Sequence, residues 1–90
     1  MDFLPLGSIV LLKEATRYVV VMGYAVSEEQ NDKIWDYLGC AYPIGVVDPT
    51  KNLLFDKGQI EKVIFKGFVD EEGNEFRKKL EENLEKIKNG

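Results

Sequence analysis

Histidine is absent from this chain, and cysteine occurs once, at position 40. Without histidine the chain lacks the commonest general base, the usual partner of a Ser or Cys nucleophile and the most frequent transition-metal ligand. A single cysteine excludes an intramolecular disulfide and agrees with a reducing compartment. Long apolar runs are missing as well: "IVLL" and "YVVVMGYAV" fall far short of the roughly 20 residues that span a bilayer. The start "MDFLPLGS" has an acid at position two and neither a basic n-region nor an apolar h-region, so it does not read as a secretory signal and a cytoplasmic location is expected. Positive charge is in deficit. Twelve Lys and Arg stand against 16 Asp and Glu, for a net charge of −4, whereas phosphate-backbone binding draws most of its affinity from a clustered basic face. Neither nucleic acid nor a membrane is therefore the expected partner. The glycines of the first 70 residues stand singly, so no phosphate-cradling loop is present and no cofactor is implied.

What is present suffices for one small domain spanning 1–90. Apolar residues make up 44% of the chain and charged residues 31%, the balance of a globular core with a solvated surface. Runs of β-branched and aromatic residues between turn signals place strands at Ser8 to Lys13, Tyr18 to Ala25 and Ile34 to Tyr42. Pro43 ends the third by removing a ladder donor. "PIGVVDPTKN" reads as a loop with room for a short strand at "GVV", and "LLF" as a short strand or one helical turn. In "QIEKVIFKGFV" Val63, Phe65 and Val69 alternate with Lys62, Ile64, Lys66 and Phe68, a further strand. After Asp70 the period changes. Phe76, Leu80, Leu84 and Ile87 are spaced four, four and three apart, one side of a helix over about 72–88. Acids at its start and Lys86 and Lys88 at its end suit the helix macrodipole. The expectation is an α+β fold: a strand-rich part over about 7–69, forming a curled antiparallel sheet or partly open barrel of four to six short strands, with one C-terminal amphipathic helix.

Cys40 is the obvious candidate nucleophile, but a reactive thiol needs a histidine, a cation or a helix N-terminus to lower its pKa. It sits in a strand pattern with Ile34 and Leu38 on its face, so it reads as packing. The acids Glu28, Glu29, Asp32 and Asp36, and the string "DEEGNE", hint at oxygen ligands. The spacing fits no EF-hand loop, and the string heads a helix where acids are expected, so no metal site is assigned. No catalytic residues are assigned either, and the chain reads as non-enzymatic. The aromatics carry more. Trp35 and Tyr37 share the strand face opposite Leu38 and Cys40, and are expected at least partly outward if those two face in. With Tyr24 and Tyr42 they form a candidate protein-binding patch. The competing reading places that aromatic face under the chain's own terminal helix.

The segments "LPLGSIVLLK", "VVVMGY", "WDYLGCAYPIG" and "FDKGQIEKVIFKGFVDEEGNEF" resemble, in order, the small bacterial proteins grouped as domain of unknown function 4176. That resemblance implies an accessory role in Gram-positive bacteria beside type VII secretion genes and the polymorphic LXG toxins: a cytoplasmic chaperone or targeting adaptor whose partner is a cognate toxin. An immunity protein that binds the toxin, or a small barrel-like module that binds nucleic acid, are the alternatives. The sequence departs from the family pattern after the first strand, where "KEA" stands in place of "KGG", and after "MG", where Tyr24 follows.

Overall fold

Runs of Val, Ile, Leu and Tyr pair here into one antiparallel sheet. The structure is a computed structural model and describes residues 3–27 and 32–89. Its strands are β1 (Ile9–Leu12), β2 (Tyr18–Ser27), β3 (Ile34–Ala41), β4 (Leu53–Phe55) and β5 (Ile60–Phe65), followed by one helix, α1 (Glu71–Asn89). The spatial order is β4-β3-β2-β1-β5, so the sheet is open, with β4 and β5 at its edges. The acids Glu28 and Glu29 lie outside the described residues, as does Gly90.

The expected alternation of β5 is broken by two register shifts. Phe65 pairs with Ile9 and Val63 with Val10. Because Ile9 and Val10 are consecutive in β1, Phe65 and Val63 lie on opposite faces of the sheet rather than on one. β5 also stops at Phe65 instead of continuing to Val69. Gly67 has been drawn off to the N-terminal segment, donating its N–H to the Ser8 hydroxyl at 3.0 Å, and a Cβ there would lie 2.3 Å from the Leu6 carbonyl oxygen. The "GVV" segment adds only a bridge between Gly45 and Ala41.

One face of the sheet carries the core. The register stacks Phe55, Tyr37 and Tyr24 in one cross-strand row, and Ala41, Val19, Val10 and Val63 in another. Gly39 leaves a slot in this face, where a Cβ would come within 2.7 Å of Val19 and 3.0 Å of the Phe55 ring. Over these rows lies the N-terminal segment. Phe3 is 5% exposed and meets Tyr24 and Tyr37 edge-on at centroid distances of 5.3 and 5.4 Å. Leu4 is tied down twice: its N–H donates to the Tyr37 hydroxyl at 2.9 Å and its carbonyl accepts from the Tyr24 hydroxyl. The helix closes the stack with Leu84, 6% exposed, and the half-buried Leu80. The Lys57 ammonium sits 3.9 Å above the Phe3 ring and pairs with Glu81 of α1 at 3.1 Å. Both ends of the helix's apolar stripe escape this packing. Phe76 is 57% and Ile87 60% exposed.

Candidate functional site

The four aromatics singled out from the sequence do not form one patch. Tyr37 is fully buried, its ring stacked on Phe55 at 5.3 Å. The expected outward orientation of Tyr37 is therefore corrected. Phe3 and α1 cover the tyrosine side rather than the Leu38 and Cys40 side, and the alternation does not run through the start of β3, where Ile34, expected with Leu38 and Cys40, packs against the core that includes Tyr37. Burial pushes the Tyr37 phenol up to about 12, opposed by the Leu4 N–H and reinforced by Tyr24, Asp36 and Glu81. Trp35 is half-buried, with the Lys33 ammonium 4.2 Å from its ring centroid. Tyr42 is 47% exposed and lies beside Tyr18, with ring centroids 6.3 Å apart. Tyr24 is half-buried and joins the core to the helix start, 6.2 Å from Phe76.

Asp36, weighed above as an oxygen ligand, is only 8% exposed. It is engaged in structure: its carboxylate accepts the Lys57 N–H at 2.9 Å, and its own N–H donates to Asp56 at 3.0 Å. Asp56 in turn pairs with Lys33 at 3.0 Å. These contacts fasten β3 to the turn between β4 and β5. Among the described residues, no three Cys, Asp or Glu side chains come together as metal ligands.

The second face of the sheet presents a broad surface. Three cross-strand rows lie on it: Leu54, Leu38 and Gly23; Cys40, Val20, Ile9 and Phe65; Tyr18, Leu11 and Lys62. Lys62 is the one charge in these rows. None of these residues belongs to the cluster under the helix or packs against it, so α1 leaves this face uncovered. Phe65 is 58% and Tyr18 40% exposed, and Ile9, Leu11, Val20, Leu38 and Leu54 are half-buried. Cys40 is shielded to 9% by its neighbours in the sheet, a packed thiol on the open side. Sequence reasoning missed this surface because it assigned Leu38 and Cys40 to the core. The available signal was the near-absence of charge from all five strands, where only Asp36, Glu61 and Lys62 are charged side chains at neutral pH. A sheet with one solvated face ordinarily alternates apolar with polar residues.

A second concavity of about 520 Å³ lies at the helix start, lined by Leu6, Gly23, Tyr24, Phe68 and Phe76, with Asp70, Glu72, Gly73 and Arg77. It exists because β1 is short. β1 pairs with β2 at Tyr18, Val19 and Val20, Ser8 and Gly7 bond the Val21 backbone at 2.8 and 2.9 Å, and Gly7 turns the chain away with a left-handed φ of +86°, a conformation that glycine adopts without steric cost.

The model of one protein family, Domain of unknown function (DUF4176), matches residues 3–76. The chain belongs to the DUF4176 family. The matched span takes in the whole sheet, the Phe3 plug and the first turns of α1 as far as Phe76, so the open face and every lining residue of the concavity except Arg77 lie within the DUF4176 region. No curated protein and no solved structure matches the chain.

Proposed function

We propose that this DUF4176 protein is a non-enzymatic binding protein that acts as a chaperone or targeting adaptor for a cognate toxin exported by a type VII secretion system. The open sheet face carries this reading. Its rows of Leu38, Leu54, Val20, Ile9 and Phe65 are the composition of a surface that another protein covers, since large contiguous apolar patches on soluble domains mark interaction sites. Tyr18 and Tyr42 at one end supply aromatic contact area of the kind enriched at interfaces. The toxin and the export route are what the family resemblance implies. An acidic chain also suits a partner with a basic rim, where complementary charge raises the association rate.

The test is co-purification of the chain, expressed in its native host, with the product of the neighbouring toxin gene. The wild-type chain is expected to retain the toxin and to be required for its export, and the double variant Val20→Thr, Leu38→Asn is expected to lose it. Recovery of no toxin by the intact chain would end the proposal. Protection of a toxin-expressing cell without any effect on export would replace the chaperone role by an immunity role.

A further inference from the structure

We infer that the groove at the helix start is a second protein-docking site, and that its occupant is a segment bearing an apolar side chain flanked by lysine or arginine. It meets the open sheet face only at Gly23, the end of the row of Leu54 and Leu38, and does not depend on the identity of the partner proposed above. Three observations converge on it. The groove has apolar walls, Leu6, Tyr24, Phe68 and Phe76, beside the bare backbone of Gly23. Its side chains are largely exposed: Phe68 is 78%, Phe76 57% and Leu6 50% exposed. The rim is acidic. The run Asp70 to Phe76 contains Asp70, Glu71, Glu72 and Glu75 and no base, and Asp70 and Glu72 line the groove itself. The one lining cation, Arg77, is engaged along its own helix, its guanidinium donating to Asn74 at 2.7 Å.

These features select the occupant. An apolar side chain fills the aromatic walls, while its basic neighbours meet the acids and are attracted to the ring faces of Phe68 and Phe76. A purely polar segment would strip water from its own polar groups against the phenylalanines without return, and an acidic one would meet like charge. The floor favours a polypeptide. Beyond Val21, whose N–H donates to the Ser8 carbonyl at 2.8 Å and whose carbonyl accepts from the Gly7 N–H at 2.9 Å, the side of β2 that β1 occupies earlier has no strand partner among the described residues, and Gly23 and Tyr24 of that stretch line the groove. An extended segment lying there can add to the sheet as a further strand.

The experiment uses the full chain and three fluorescein-labelled dodecapeptides: alternating leucine and lysine, alternating leucine and glutamate, and alternating serine and lysine. Fluorescence anisotropy is expected to give saturable binding of the leucine–lysine peptide at least tenfold tighter than either control. Phe76→Ser is expected to weaken it at least tenfold and Glu72→Lys several-fold, whereas Val20→Thr on the open sheet face leaves it unchanged. Because Phe76 is largely exposed, Phe76→Ser should fold, which circular dichroism checks. Backbone amide shifts at Gly23 and Gly73 on titration give a readout independent of any variant. Equal binding of the serine–lysine peptide, an unaltered affinity in Phe76→Ser, or unmoved Gly23 and Gly73 signals would each overturn the inference. Loss of binding in Val20→Thr would do the same by moving the site to the open face. Toxin co-purification plays no part in this assay, so either proposal can fail while the other stands.

Discussion

The two faces of the sheet are built from the same residue types and meet opposite fates. On one, Val10, Val19, Val21, Tyr37 and Phe55 are sealed beneath Phe3 and Leu84. On the other, Ile9, Val20, Leu38 and Leu54 remain half-buried with nothing from α1 above them. The difference lies in the covering layer and not in the strands. A helix of 19 residues has one apolar side and can serve one face, and the N-terminal plug joins it there, leaving the second face for a different molecule. The predictions below test that contrast from its strongest side to its weakest.

The covered face should fail first. Phe55 is fully buried, stacked on Tyr37 and set into the slot left by Gly39. Phe55→Ala is expected to cost about 3–5 kcal/mol, a large fraction of the stability of a 90-residue domain, with total stabilities of roughly 5–15 kcal/mol being usual. Urea denaturation followed by circular dichroism would measure it. A loss below about 1 kcal/mol would mean that the stack around Tyr37 does not hold the fold. Next comes Val10→Thr, which places a hydroxyl at a fully buried position. With no partner for that hydroxyl, the expected cost is about 1–3 kcal/mol.

Tyr37→Phe removes one hydrogen bond, from the Leu4 N–H, for an expected loss of about 1 kcal/mol. It also has a pH signature. The folded phenol titrates near 12, above the roughly 10 of a free tyrosine. The unfolded chain therefore releases this proton first as pH rises. The stability that Tyr37 contributes is fully present below about pH 10 and is lost progressively as pH climbs towards 12. The urea midpoint of the wild-type chain should fall between pH 9.5 and 11.5, and Tyr37→Phe should fall less. Parallel curves for the two proteins would show that this phenol is not the group responsible.

Much of this fold was legible in the residue pattern, and the reasons are local. β1 to β3 are β-branched runs between Gly, Pro and acidic turn signals, and α1 keeps a clean helical period from Phe76 to Ile87. The edge strand β5 was legible as a strand but not in its facing, because its register shifts have no periodic signature. The same limit explains Tyr37. Alternation states that Tyr37 and Cys40 face opposite ways, but which side becomes the interior depends on where Phe3 and the helix land. That is set by contacts distant in sequence, such as Gly67 to Ser8 and Lys57 to Glu81. The groove at the helix start was likewise hidden, since Leu6, Gly23, Phe68 and Phe76 lie far apart in the chain. The helical period places Phe76 on the apolar side of α1 and does not state whether that end of the stripe is covered.

The smallest expected effect is the most informative about the open face. Val20 and Val10 are both strand valines, and both can be changed to threonine, which strands accept readily. At Val20 the new hydroxyl can reach water, so Val20→Thr should cost less than about 0.5 kcal/mol, as surface substitutions generally do. The difference between this variant and Val10→Thr measures the asymmetry of the two faces with the chemistry held constant. If Val20→Thr instead costs as much as Val10→Thr, the open face is already covered in solution. Repeating the denaturation over a hundredfold range of protein concentration then separates the causes. A midpoint that rises with concentration points to a second copy seated on the face, since self-association stabilises by mass action. A constant midpoint would mean that the chain itself seals this face, and the docking surface assigned to Leu38, Val20 and Ile9 would be withdrawn.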